Sequence, residues 1–220
     1  MQVSFPHPVL VRSTAPELTG LRHSPFTNID GESFAKPALN GFWNLELAVI
    51  APDMQAQMAL SAFVTAMSAA SAECVVPVLV QWRPNDRHGR MLDHGGVGPS
   101  FTFDHTGFQS EPFDGYSLIA AASHRDSYID VQTPDLSHLW PGHYLTLGDR
   151  LHQVVNVNSI GESATQVRIH VMPNIRGGYP AGETVIVDQL RLRCRLNKGD
   201  QIGHTIDPVR FGGLSFVEAF

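Results

Sequence analysis

The sequence predicts a mainly β fold with one helix, on three observations. Nineteen glycines and 15 prolines break the 220-residue chain at short intervals. Apolar residues recur mostly with a period of two, the spacing of one face of a strand. Only one stretch, over about 53–70, carries the three- and four-residue steps of a helix.

The first forty residues hold Pro6, Pro8, Pro16, Pro25 and Pro37 among short apolar stretches. Proline lacks the backbone donor that a central strand needs, so this region reads as an arm or a set of edge strands. From Gly41, the residues Trp43, Leu45, Leu47 and Val49 fall on one side of an extended chain, with Asn44 and Glu46 on the other. Pro52-Asp53 then opens the helix, because the Asp53 carboxylate can accept from the free amides of a first turn. Met54, Met58, Phe63, Val64 and Met67 recur at helical steps, a stripe expected to face the core and plug the sheet. The apolar run 74–82 reads as a strand, and Pro77 inside it points to an edge or a bulge. The stretch 83–99 concentrates Gly, Pro and charge and reads as a long exposed loop. Beyond it, strands are expected at 116–122, 127–132, 143–147, 150–157, 165–171, 184–196 and 213–219. Gly148-Asp149 forms the turn of a hairpin over 143–157.

Charge narrows the classes of function. Fifteen Lys+Arg against 21 Asp+Glu give a net charge of −6. That field repels a phosphate backbone and weighs against sequence-specific nucleic-acid binding. Only 16% of residues are charged, against about 25% in ordinary soluble domains, so part of the surface is expected to be covered by a partner. Cys74 and Cys194 have no short ligand spacing around them and are expected to be buried free thiols. The first residues lack the basic and apolar regions of a secretory signal, so export by the general route is not expected. The apolar runs 45–52 and 74–80 fall short of the roughly 20 residues that cross a bilayer, and no membrane span is expected.

No catalytic, cofactor or metal site emerges. His88, His94 and His105, with Asp86, Asp93 and Asp104 nearby, match no ligand spacing of known geometry, and a polar loop accounts for them. There is no Gly-x-Ser-x-Gly elbow, and Cys74 sits in an apolar strand where a thiolate is disfavoured. Glu17, Asp30, Glu32, Asp53, Asp104, Glu111 and Asp114 could pair as glycosidase carboxylates, but sequence distance brings no two of them together. The glycines from Gly95 to Gly98 lack the Lys-Ser/Thr of a phosphate loop. Arg191, Arg193 and Arg195 share one face of a strand opposite Leu192, Cys194 and Leu196. That face is either solvated or an interface receiving acidic groups. With Arg83, Arg87 and Arg90, these arginines are the candidate contacts to a neighbouring subunit or partner.

Several segments together resemble a known family. Ser24-Pro25-Phe26-Thr27, then Trp43-Asn44-Leu45-Glu46-Leu47, then the capped helix with Ala62-Phe63-Val64, then the stretch from Pro141 to Leu151 (PGHYLTLGDRL), are similar in order and spacing to distal tail and tail-tip proteins of long-tailed bacteriophages and prophages. The likeness runs from about residue 9 to Phe220, where the chain closes on Val217-Glu218-Ala219-Phe220. Two features depart from the pattern. Pro52-Asp53-Met54 stands in place of Pro-Met-Thr at the helix entry, and the run from Val80 to Pro84 (VQWRP) replaces the usual Gly-Asp-Pro after the helix.

The resemblance implies a hub-type β-sandwich with one packed α-helix, built from 1–99 and 186–220, and a small β-barrel subdomain inserted over 100–185. It implies a structural virion protein of the tail tip or baseplate, not an enzyme, assembled in the bacterial host cytoplasm. A closed ring of copies, a hexamer or trimer, would join the tail tube or its terminator to the central hub and fibre, with the tape measure protein as a further partner. The arm over 1–40 is the first candidate for the subunit contact. Two rival readings remain: a carbohydrate-binding module displaying Trp82, Trp140, Tyr144 or Tyr179, and a cell-wall or capsule hydrolase using His88, Asp93 or His94 in loop 83–99.

Overall fold

The computed structural model describes residues 1–21, 26–27, 29–34, 41–69, 71–80, 84, 115–134, 139–161, 165–197 and 210–220. The loop 83–99 lies outside the described residues, apart from Pro84, which is buried. Strands take 49% of the described residues and the helix 9%, so the fold is mainly β.

In chain order the elements are β1 (Gln2–Val3), β2 (Leu10–Thr19), β3 (Phe26–Thr27), β4 (Ser33–Phe34), β5 (Phe42–Ala51), α1 (Met54–Met67) and β6 (Glu73–Pro77). Then follow β7 (Ser117–Leu118), β8 (Tyr128–Gln132), β9 (Tyr144–Leu147), β10 (Arg150–Ser159), β11 (Gln166–Met172), β12 (Val185–Ile186), β13 (Arg191–Leu196) and β14 (Arg210–Glu218). Two six-stranded sheets result, in the orders β1-β6-β13-β14-β5-β2 and β12-β9-β10-β11-β8-β7, with β3 and β4 forming a separate hairpin.

The first sheet is antiparallel except where β1 runs parallel to β6. Its strand β5, inside the edge strand β2, alternates as its sequence requires, with Trp43, Leu45, Leu47 and Val49 buried and Glu46 exposed. Residues 1–19 do not form a free arm. β1 and β2 are edge strands of this sheet, and Phe5 and Val9 are buried in its core. Their apolar side chains gain more by covering the chain's own core than by remaining in solvent. Pro77 ends β6 past the two-residue reach of β1, where a missing donor breaks no ladder bond. The hydroxyl of Thr14 on β2 donates to the Leu79 carbonyl and accepts from the Leu79 N–H, each at 2.8 Å, drawing β2 toward the chain that leaves β6.

The helix begins as expected. Asp53 has extended backbone (φ −143°) and its carboxylate accepts from the Ala56 N–H at 2.7 Å. It ends three residues earlier than 70, at Met67, where the Ser68 hydroxyl donates to the Val64 carbonyl. The buried face differs from the methionine stripe. Ala56, Leu60, Phe63 and Met67 face the sheet, with Phe63 edge-on to Phe5 at 5.8 Å, whereas Met54 and Met58 are 76% and 65% exposed. Several helical stripes were available in so apolar a segment, and the aromatic contact of Phe63 selected among them. Asp53→Ala is therefore expected to cost about 1 kcal/mol through the lost cap, while Met54→Ala and Met58→Ala stay within about 0.5 kcal/mol. Urea denaturation of the three variants checks this, and a large loss at either methionine would refute the assigned face.

The second sheet is antiparallel throughout and nearly closes into a barrel. Ser117 bridges Thr184, and backbone bonds from Leu118 N–H to Glu183 and from Val185 N–H to Tyr116 join the β7 and β12 sides. Closure removes the free edges that an open sheet exposes. The β9–β10 hairpin turns at Gly148-Asp149, as expected. Gly148 has φ 61°, the positive value that a two-residue hairpin turn places at its first position. The strand expected over 184–196 is split. β12 belongs to the second sheet and β13 to the first, and 187–190 crosses between them, with Val187 in one core and Leu190 in the other. The polar pair Asp188-Gln189 interrupts the apolar run at this crossing.

Candidate functional site

The two cores meet at a seam built by residues from four elements. Trp43, at the start of β5, donates from Nε1 to the Leu151 carbonyl of β10 at 2.7 Å, and its ring packs against Tyr144 of β9 with centroids 5.8 Å apart. The backbone N–H of Trp43 donates to Oε2 of Glu218, near the end of β14, at 3.1 Å. Glu218 has no side-chain exposure and faces two guanidiniums: Arg150 Nη1 at 3.5 Å from Oε1 and Arg176 Nη1 at 3.7 Å from Oε2. Arg150 also donates to the Ala219 carbonyl.

These ion pairs are too long to repay full desolvation. Burial raises the Glu218 carboxyl above its usual range despite the nearby arginines, and burial likewise lowers Arg176. His152, fully buried beside them, gives its Nδ1 to the Pro173 carbonyl at 2.8 Å. A carbonyl can only accept, so Nδ1 carries the proton and Nε2 holds a lone pair with no hydrogen-bond partner among the described residues. Burial, opposed by the Pro173 bond and reinforced by Arg176 and Arg150, pushes the imidazole down to about 4, so it is neutral near pH 7.

Beside this cluster lies a cavity of about 600 Å³. Phe42, Ile175 and Phe220 give it apolar walls, and Arg125, Arg150, Arg176, His124 and Asn174 supply polar groups. Arg125 has φ 76°, a left-handed conformation unusual for a non-glycine residue. It is held by its N–H bond to the Ile175 carbonyl at 2.7 Å and by Asn174 Nδ2 on its own carbonyl at 3.3 Å.

The arginines singled out from the sequence lie elsewhere. Arg83, Arg87 and Arg90 are outside the described residues. On β13, Leu192 and Cys194 are buried while Arg191, Arg193 and Arg195 share the other face. Arg193 pairs with Asp149 at 2.8 Å, and Arg195 with Glu73, both within the chain. The hydrogen bond from Arg195 also lowers the Glu73 carboxyl. This face is thus already supplied with carboxylates from the chain itself.

Cys74 and Cys194 are buried free thiols on directly opposed positions of β6 and β13. Burial pushes the Cys74 thiol up to about 12 and the Cys194 thiol well above its ordinary value, so neither forms a thiolate near neutral pH. Among the described residues no group of three His, Cys, Asp or Glu could hold a metal ion, and no helix is long and apolar enough to cross a membrane. His88, His94, His105, Asp86, Asp93 and Asp104 lie outside the described residues, as does Trp82. Trp140 is 61% exposed, but Tyr144 is packed on Trp43 and Tyr179 against the second core, so these aromatics form no shared platform.

Sequence reasoning did not single out Glu218, Arg150 or Arg176. A signal was present for the first: Leu214, Phe216 and Glu218 share one phase of β14, which places a carboxylate on the buried face. The fold and this seam define a mainly β protein of two joined sheets with a cation-lined cavity beside the join. The sequence matches no protein-family model and no curated protein.

Proposed function

We propose that the protein is a structural subunit of a bacteriophage tail tip or baseplate. It acts by assembly rather than catalysis, closing a ring that joins the tail tube or its terminator to the central hub and receptor-binding apparatus. The observation that carries this reading is the convergence of the segments on which the resemblance rests. Trp43 of the opening strand, Leu151 of the hairpin stretch and Glu218 of the closing strand are tied to one another by hydrogen bonds. Motifs far apart in the chain serve one structural junction, as expected where they specify a scaffold rather than separate activities.

Two further features support it. β2 pairs with β5 on one side and with no described strand on the other, an edge on which Thr14 at its middle is bonded to the Leu79 backbone. Such an edge can accept a strand from a neighbouring copy. The outer face of the first sheet beside it carries Ser13, Ala15, Ala48, Gly213 and Ser215, small residues around the exposed Glu46 carboxylate. The net charge of −6 suits a ring through which DNA passes without adhering.

Light scattering on the purified chain, with electron microscopy of particles carrying a label on it, tests the reading. A closed oligomer and a label at the tail tip are expected, and Ala48→Arg should dissociate the oligomer while the monomer stays folded. A monomer at every concentration, with no label on particles, would refute it.

A further inference from the structure

We propose that the cavity beside the seam binds a small organic anion, with a carboxylate or phosphate head on an apolar, preferably aromatic, body. Its volume of about 600 Å³ lies within the roughly 300–1,000 Å³ of small-molecule sites, which combine apolar walls with a few placed polar groups.

Charge points to an anion. Arg125, Arg150 and Arg176 line the cavity, while among the described residues the carboxylate paired with any of them is Glu218 alone. The acidic residues adjacent in sequence are engaged elsewhere: Asp126 accepts from the Ser123 N–H at 2.7 Å and Asp149 from Arg193. Arg176 is the least satisfied of the three. Both its Nη atoms are buried without a hydrogen-bond partner among the described residues, and the nearest Glu218 oxygen stands at 3.7 Å, beyond hydrogen-bonding distance. A guanidinium presents a planar fork that matches two oxygens of a carboxylate or phosphate, and an anion that meets those donors offsets their desolvation.

The apolar half follows from the walls. The Phe220 ring lies over the Arg176 guanidinium, 4.3 Å from its carbon to the ring centroid, and is itself 68% exposed. The same ring meets Phe42 edge-on with centroids 6.4 Å apart, and a ligand that displaces it takes its place against Arg176 and Phe42. At the rim, Arg125 is held in its left-handed conformation by bonds to Ile175 and from Asn174. Backbone strain of this kind persists where the surroundings over-determine it, ligand clamps among them.

Calorimetric titration of the full chain with benzoate, phenyl phosphate, inorganic phosphate and benzyl alcohol tests the site, independently of any role in a tail. Benzoate or phenyl phosphate is expected to bind once per chain, about tenfold or more tighter than neutral benzyl alcohol and tighter than inorganic phosphate. Arg176→Met should weaken that binding by about tenfold or more, the effect of losing a charged hydrogen-bond donor. Arg125→Ala, at the exposed rim, should weaken it severalfold and carries the test if Arg176→Met fails to fold by circular dichroism. The proposal is overturned if neither aromatic anion binds, if benzyl alcohol or inorganic phosphate binds as tightly, or if the folded arginine variants bind unchanged.

Discussion

Replacing Trp43 by alanine is expected to lower the free energy of unfolding by about 3–5 kcal/mol, the range for emptying a buried large aromatic site. The indole is buried in the first core, packs on Tyr144, and sends its Nε1–H across the seam to the Leu151 carbonyl. Trp43→Phe separates the two contributions. It keeps most of the packed ring but removes the donor, leaving a carbonyl at the seam unpaired, and should cost about 1–3 kcal/mol. Urea denaturation of both variants measures the ordering, and an alanine variant within about 1 kcal/mol of the parent would show that the junction does not depend on this side chain.

Glu218→Ala is expected to cost about 3–5 kcal/mol, the loss typical of removing one partner from a buried ion cluster. It strips the acceptor from the Trp43 N–H and leaves Arg150 and Arg176 without their shared carboxylate. Glu218→Gln keeps the shape and an acceptor oxygen and should cost less. The pH dependence of these variants has a definite sign. Burial raises the folded-state Glu218 above the ordinary value of 4.5, so across that interval the unfolded chain ionises while the folded chain stays protonated. Stability contributed by this group is therefore full below about 4.5 and declines as pH rises through the raised folded value. His152 acts oppositely. Its folded value is pushed down to about 4, so its contribution is present above the unfolded value near 6.5 and is lost as pH falls toward 4. Subtracting the Glu218→Gln curve from that of the parent isolates the carboxyl. A parent that gains stability relative to this variant as pH rises would mean that the ion pairs, not burial, govern Glu218.

Much of the architecture is legible in the sequence, because it rests on local physics. The alternation of Trp43, Leu45, Leu47 and Val49 dictates which side of β5 is buried, whatever packs against it. Asp53 caps α1 through a bond three residues long in sequence, and Gly148 supplies the turn of its hairpin from its own backbone freedom. Pro16 restricts β2 to an edge because a missing donor is a property of the residue itself. The mainly β class and its single helix follow from such terms.

What tertiary structure decided depends on partners distant in sequence. Which stripe of α1 is buried turned on Phe5 and Phe216 meeting Phe63, not on methionine spacing. The strand expected over 184–196 divides because its halves belong to different cores, which the sequence marks only by the polar pair Asp188-Gln189. The seam is the plainest case. Trp43 and Glu218 stand 175 positions apart, and Trp43 and Leu151 stand 108. Periodicity could mark Glu218 as a carboxylate on a buried face, yet only the fold brings it two guanidiniums and places a cation-lined cavity beside them. Local sequence determines which groups each strand hides and which it shows. Long-range packing alone determines which hidden charges meet, because the pairing energy of buried groups depends on distances that no interval along the chain encodes.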